Sequence, residues 1–260
     1  MDKRAKPVAV GASALVLALV AIAARGQDNF EIQVYGSETL STRESMVELH
    51  SNYTLEGSKT EMNGVLPSHH ALHETLELTH GFTPWFETGF YVLTSVQPGK
   101  GWEWVGDRLR PRLRVPERWH WPVGLSLSTE VAYERRLFSE ETWSWEIRPI
   151  IDKTLGRFYL SLNPTFERAL DGPNAARGFE FSPSAKISYA VTRQLAAGVE
   201  YYSDLGRLHG FEAFGEQQHQ IMPAIDLNFS AKWECNFGVG VGLNHSTDHL
   251  LLKLILGRRF

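Results

Sequence analysis

The chain has 260 residues, 43% of them hydrophobic and 22% charged, with eight tryptophans and one cysteine, Cys235. That composition excludes a disordered chain, and a single cysteine excludes an intrachain disulfide framework. A formal net charge of -4 argues against a nucleic-acid partner.

The first six residues carry Lys3, Arg4 and Lys6, and an apolar run, "VAVGASALVLALVAIAA", follows from Val8 to Ala24. Small residues then offer cleavage sites, so residues 1–26 read as a secretory signal peptide cut around 23–26. An uncleaved helical anchor is the alternative, since the run is near the lower length for a span. No cysteine lies near the cleavage site, which argues against a lipoprotein. No later apolar run reaches the length of a membrane helix. If the mature chain crosses a membrane, it must do so as a closed barrel, because only helices and closed barrels satisfy every backbone group in lipid.

Past the leader the chain alternates apolar and polar residues with a period of two, the strand period. "FEIQVYG" (Phe30–Gly36) is the first such run. Val47, Leu49, Tyr53 and Leu55 come next, then Phe86, Phe90 and Val92. Leu109, Leu113 and Val115 alternate with Arg108, Arg110, Arg112 and Arg114. Further runs begin near Val123, Trp143, Leu160, Phe179, Ile221 and Phe237, and Leu250, Leu252, Leu254 and Leu256 end the series. The runs are roughly ten to thirteen residues long, whereas soluble strands average about five or six and tilted membrane strands need about nine to eleven. About thirteen candidates can be counted, but a bacterial barrel with both ends in the periplasm needs an even number. The fold expected is therefore all-β: an antiparallel transmembrane β-barrel of twelve strands over residues 45–260. Residues 27–44 are left as an N-terminal extension, periplasmic or lumenal.

Short connections, such as "GFTP" (Gly81–Pro84), "KTLG" (Lys153–Gly156), "VTRQ" (Val191–Gln194) and "SAKW" (Ser230–Trp233), alternate with long polar stretches such as Glu56–His70, Ala169–Gly178 and Asp204–Gln217. That asymmetry predicts short periplasmic turns and longer external loops. It places Trp85, Trp119, Trp121 and Trp233 at the turns, and Trp102, Trp104, Trp143 and Trp145 near the loops, as two membrane-interface girdles. Five prolines, Pro111, Pro149, Pro164, Pro183 and Pro223, fall inside predicted strands on the apolar face. Proline removes a ladder hydrogen bond, so bulges are expected at some of them.

If apolar side chains face lipid, the arginine row lines the lumen, since a charged group at the bilayer midplane costs about 2–4 kcal/mol. The same alternation sends Glu77, Glu87, Glu130, Glu146, Glu167, Glu180, Glu200 and Asp226 inward with Arg148, Lys186 and Lys253. Acids on neighbouring strands would pair with the guanidinium forks. This network either fills a narrow barrel or leaves a constriction with a positive stripe. No cofactor or metal is expected. "HETLELTH" (His73–His80) lacks the second histidine of a zinc-protease motif; His69, His70 and His73 at a loop edge read as solvated, with metal binding the alternative. Some twelve-stranded outer-membrane barrels are lipases with a Ser–His–Asn site, and "HSN" (His50–Asn52) and "NHSTDH" (Asn244–His249) hold those residue types. Adjacent His and Ser on a strand point to opposite faces, so neither doublet pairs directly there. No catalytic constellation is expected.

The terminal "LILGRRF" resembles the C-terminal recognition pattern of Gram-negative outer-membrane barrels, with Arg258 where a hydrophobic residue is common. It implies the barrel-assembly machinery as a partner and Phe260 as an interface residue; a soluble edge strand is the alternative. The runs "HETLELTHGFTPWFETGFY", "RPRLRVPE", "WHWPVGLSLS", "FSEETWSWEIRPIID", "NPTFER", "FEFSPSAKISY" and "PAIDLNFS" resemble a family of poorly characterised proteobacterial outer-membrane β-barrels, across most of the mature chain. In architecture the chain is also broadly similar to the transporter-like barrels associated with phenol meta-pathway degradation. These resemblances imply a bacterial outer-membrane location and lipid contact, and transfer no site residues. Two functions are expected to compete: a narrow porin-like channel or uptake barrel for a small solute, and a non-conducting structural or interaction barrel.

Overall fold

The computed structural model describes residues 29–260; the signal peptide expected at 1–26 lies outside them. Fourteen strands follow in chain order. The first seven are β1 (Ser45–Glu56), β2 (Leu72–Thr83), β3 (Phe86–Gln97), β4 (Gly101–Arg114), β5 (Gly124–Glu134), β6 (Trp143–Leu155) and β7 (Phe158–Asn163). The others are β8 (Phe166–Ala169), β9 (Glu180–Phe181), β10 (Ser184–Ala190), β11 (Leu195–Asp204), β12 (Gln218–Ser230), β13 (Trp233–Gly242) and β14 (Leu250–Arg259).

All pairings are antiparallel, and β1 pairs with β14, so the sheet has no free edge. β6 pairs with β7 over Ile151–Leu155 and with β8 over Ser144–Ile147. β8 therefore continues the crossing that β7 begins, and β9 and β10 make one crossing in the same way. The ring is a closed barrel of twelve crossings. Closure gives the edge strands β1 and β14 partners that an open sheet of this length would lack.

The alternation of the sequence is the alternation of burial. In β14, Leu251, Lys253 and Ile255 are buried while Leu254 and Leu256 are exposed. In β3, Glu87, Tyr91 and Leu93 are buried while Phe90 is exposed. Leu76, Leu109, Leu127, Leu162, Ile187 and Phe237 continue the exposed row around the ring. Charge lies inside and hydrocarbon outside, the reverse of a water-soluble sandwich.

One end carries the turns 84–85, 156–157, 191–194 and 231–232, and the other the loops 57–71, 135–142, 170–179, 205–217 and 243–249. Each end has one exception. The turn end includes the nine-residue connection 115–123, and the loop end includes a three-residue turn at 98–100.

The bulges expected at prolines do not occur there. Register shifts fall at Thr54/Glu56, Gly81/Thr83, Leu93/Thr94 and Leu227/Ser230. At Pro111 the ladder to β5 skips from Leu109↔Val131 to Arg112↔Ser128 with no change of register. Pro223 does the same toward β13, between Ile221↔Val241 and Ala224↔Gly238. Pro164 and Pro183 lie in the two breaks between β7 and β8 and between β9 and β10. The flanking registers put Pro149, Pro164 and Pro183 on one row across three adjacent crossings. A proline need only forgo its own N–H bond, and a skipped pair does that without an inserted residue.

Candidate functional site

The arginine row lies on β4, and a strand period of two puts its four side chains on one face. Arg108, Arg110 and Arg112 are buried; Arg114 is partly exposed near the turn end. Arg108 pairs with Glu134 at 2.7 Å, Glu31 at 3.3 Å and Glu130 at 3.5 Å. Arg110, 2% exposed, pairs with Glu77 of β2 at 2.5 Å across β3. Gly89 of β3 permits that reach, because a Cβ there would stand 3.2 Å from both Arg110 Nη2 and Glu77 Oε1. Arg112 pairs with Glu87, and Arg114 with Glu117 at 3.0 Å. Arg148 of β6 meets Glu146 at 2.8 Å and Glu31 at 3.4 Å.

Glu31 belongs to the segment 29–40, which runs through the lumen from the loop end to the turn end. At the loop end Asn29 donates to Asp248, 3.0 Å, and Phe30 packs with Tyr91, Leu93 and Val105. Ile32 packs against Met222 and Leu251 on the opposite wall. The Tyr35 backbone is held by Asn163, which accepts from its N–H at 2.7 Å, and by Ser161, which donates to its carbonyl at 2.6 Å. The Tyr35 ring lies 4.6 Å from the Arg110 guanidinium, 5.0 Å from that of Arg148 and 5.6 Å from that of Arg112. Its hydroxyl donates to Glu31. Arg112 donates to the carbonyls of Gly36, 3.3 Å, and Glu38, 2.7 Å. Ser37 is tied to Asp152, and the Leu40 N–H donates to Glu87 at 2.7 Å. Thr39 donates to the Pro84 carbonyl at the turn end.

Glu77 and Glu87 thus meet the arginine row, and the other expected inward acids fall in two groups. Glu130, Glu146, Glu167 and Glu180 are register partners across β5, β6, β8 and β9, so four carboxylates form one row. Glu130 and Glu180 are buried; Glu146 and Glu167 are partly so. Lys186, Glu200, Asp226 and Lys253 form a second cluster on β10, β11, β12 and β14. Lys186 meets Asp226 at 2.7 Å and Glu200 at 3.1 Å, and Lys253, 1% exposed, pairs with Glu200. Tyr202 donates to Glu200 at 2.7 Å, and Asn236 donates to Asp226 at 2.7 Å.

Below the segment, toward the turn end, lies a cavity of about 740 Å³. Its walls include Arg110, Arg112, Arg114, Glu48, Glu77 and Asp152, and residues 35–40 lie along it. Trp121 is exposed at the turn end and also borders this cavity. Trp85, Trp119, Trp233 and Phe260 are exposed at the turn end, and Trp102, Trp104 and Trp143 at the loop end. Trp145 is partly buried, packs against Phe179 and donates to Thr129 at 2.7 Å. Arg258 stacks over Trp233 and Phe260.

His69 and His70 lie together in loop 57–71, ring centroids 3.9 Å apart. His73, expected to be solvated with them, is instead buried against Phe30, because the alternation of β2 turns it inward. His50 faces inward toward Glu77, while Ser51 bonds Glu74 at 2.7 Å on the other face. Asn244 and Ser246 of the other doublet bond loop carbonyls. Sequence reading missed Glu31 and Tyr35 as partners of the arginines; the glutamate and tyrosine inside "FEIQVYG" were the available signal.

No protein-family model matches the sequence, and no curated protein matches it. Among solved structures the chain is similar to the KdgM porin, with a TM-score of 0.53 and 10% identity, covering 83% of this chain and 99% of that one. It is also similar to the NanC porin, with a TM-score of 0.53 and 6% identity, covering 81% of this chain and 97% of that one. At such identities the likeness is one of fold, that of outer-membrane porin barrels. A closed ring with an apolar exterior and a charged interior is built to sit in lipid. The chain folds as a closed β-barrel of the kind these outer-membrane porins share.

Proposed function

We propose that this barrel is a narrow channel for small anionic solutes, closed at rest by its own residues 29–40 and selective through the arginine row. The observation that carries the reading is the seat of Glu31 and Tyr35 against Arg108, Arg110, Arg112 and Arg148. A carboxylate and a flat ring hold the wall there by ion pairs and cation–π contact. A solute carrying the same two groups competes for the same guanidiniums, and displacing the segment joins the cavity at the turn end to the loop end. Rings of charged side chains select ions in this way in other pores.

In this reading residues 1–26 are a signal peptide, 27–44 an extension that serves as the plug, and 45–260 the barrel. The turns face the periplasm and the loops face outward. The exposed tryptophans sit at the two interfaces, and the strand ending in Phe260 is read by the barrel-assembly machinery. The transporter-like barrels to which the chain is broadly similar in architecture fit an uptake role.

The test is conductance in a planar bilayer of three proteins: the natural chain, a variant lacking residues 29–40, and the pair Arg110→Ala with Arg112→Ala. Frequent discrete steps in the deletion variant, rare ones in the natural chain, and a shift toward cations in the arginine pair are expected. A deletion variant that folds yet stays silent overturns the channel and leaves a non-conducting structural or interaction barrel.

A further inference from the structure

Glu48 and His50 lie on β1 and Glu77 on β2, all buried and all on the inward face. Glu48 and Glu77 are register partners, which brings two carboxylates side by side. One ligand atom from each of the three residues lies within 4.8 Å of the others. Glu77 is served by Arg110 at 2.5 Å and Thr79 at 2.6 Å, both on its Oε1. Glu48 is not so provided: it is 6% exposed, and its Oε1 is buried without a hydrogen-bond partner. His50 is 0% exposed, with one 3.3 Å contact on Nε2 and none on Nδ1. A buried carboxylate without a donor is costly, and one cation placed among the three supplies the partner that Glu48 lacks.

We infer that Glu48, His50 and Glu77 form a binding site for a divalent transition-metal ion of the zinc type. The spacing supports this. His50 Nε2 and Glu77 Oε2 are 3.3 Å apart. Two donors about 2.1 Å from a tetrahedral ion stand about 3.4 Å from each other. That edge is therefore preformed, and Glu48 closes the face by rotation of a side chain that no hydrogen bond restrains. On binding, Nε2 presents its lone pair, the ring proton resides on Nδ1, and Glu77 keeps its Oε1 bonds to Arg110 and Thr79. One imidazole nitrogen with two carboxylates suits zinc-type ions, whereas calcium and magnesium take oxygen shells. Glu48 and Glu77 both line the cavity at the turn end, so a fourth position is open to water or to an anion. The site stands whether or not the barrel conducts.

The test uses the full-length folded protein in detergent, stripped with a chelator and titrated with Zn²⁺ by calorimetry and with Co²⁺ by visible absorption. One equivalent of metal and a cobalt spectrum of four- or five-coordinate type are expected. Glu48→Gln and His50→Gln should each weaken binding by about tenfold or more, while His69→Gln with His70→Gln leaves it unchanged. Glu48→Gln preserves shape, and heat-modifiable migration on a gel verifies that each variant is folded. Absence of stoichiometric binding overturns the site. So does binding that survives Glu48→Gln but is lost with the exposed His69–His70 pair.

Discussion

The two charged walls of the lumen are satisfied in different ways. The arginine wall, β3 to β6, pairs with carboxylates of the barrel and is completed by a segment that is not part of the wall: Glu31 also serves Arg108 and Arg148, and Arg112 also donates to the Gly36 and Glu38 carbonyls. The lysine wall, β10 to β14, closes on itself: Lys186, Lys253, Glu200, Asp226, Tyr202 and Asn236 bond one another. Packing follows the same division. A Cβ on Gly238 or Gly240 of β13 would stand 2.8 Å from Met222 or Gln220, so wall side chains already fill that space. Opposite them the space is filled by Tyr35. The difference teaches where a barrel of this kind can open: along the wall that has partners able to leave together.

The largest effect is expected from breaking the self-contained wall. Lys253→Met leaves Glu200 buried with one cation fewer, and losing one member of a buried pair costs about 3–5 kcal/mol. Urea unfolding followed by tryptophan fluorescence should show that loss, with ion selectivity in the bilayer unchanged. If selectivity moves instead, the lysine wall shares the permeation path and the two walls do not divide in this way.

Next in size is Tyr35→Ala. It removes three guanidinium–ring contacts and the hydroxyl bond to Glu31. If this costs the seated segment about 2 kcal/mol, its vacated fraction rises about thirtyfold. Opening frequency and protease cleavage within 29–40 should rise together. Seating that withstands this change would place the weight of the plug on Asn163 and Asp152 rather than on the arginines.

Much of the comparison was legible in the sequence, and the rest was not for a physical reason. Alternation over ten or more residues in β3 and β14 identifies a strand, its two faces and its membrane length at once, because all three follow from a period of two. The row Arg108–Arg114 is legible on the same ground. Which residues stand beside each other on neighbouring strands is set by register, and a shift of one residue reverses it. The glutamate row across β5, β6, β8 and β9 and the pairing of Glu48 with Glu77 are therefore invisible in the string. "FEIQVYG" carried the strand pattern but too few residues to cross. Its place in the lumen depends on contacts with Asn163 and Arg112 that lie far along the chain. The prolines misled because a ladder can skip a pair without a bulge.

The proline row lies on β6 and the two crossings that follow it, where the two walls meet, and offers a smaller, sharper test. Pro164→Ala returns one backbone N–H to the break between β7 and β8 without altering a lumenal side chain. An effect within about 1 kcal/mol is expected, with slower amide exchange near Asn163 and Thr165. If the change instead suppresses openings in the deletion variant, the break in the wall is part of the path, and the arginine wall is not the only element that moves.

The smallest effect is expected at the loop end, above the arginine wall. Asp171 of loop 170–179 accepts from the Thr142 hydroxyl, and from the Thr142 and Trp143 N–H groups at 2.8 and 2.9 Å. These bonds favour the charged form, the Thr142 hydroxyl most, and hold the carboxyl below its ordinary value against the opposing effect of burial. The sign follows from linkage: a lowered folded value means the tie is whole above the ordinary aspartate range and is lost as pH falls through the depressed value. Exchange of the Thr142 and Trp143 amides should therefore quicken on acidification in that window, and Asp171→Asn should abolish the pH dependence. The exposure of the site keeps the effect local, so the midpoint of global unfolding should not follow it. If global stability does track this titration, the loops brace the arginine wall, and the wall that a removable segment completes is also held from above.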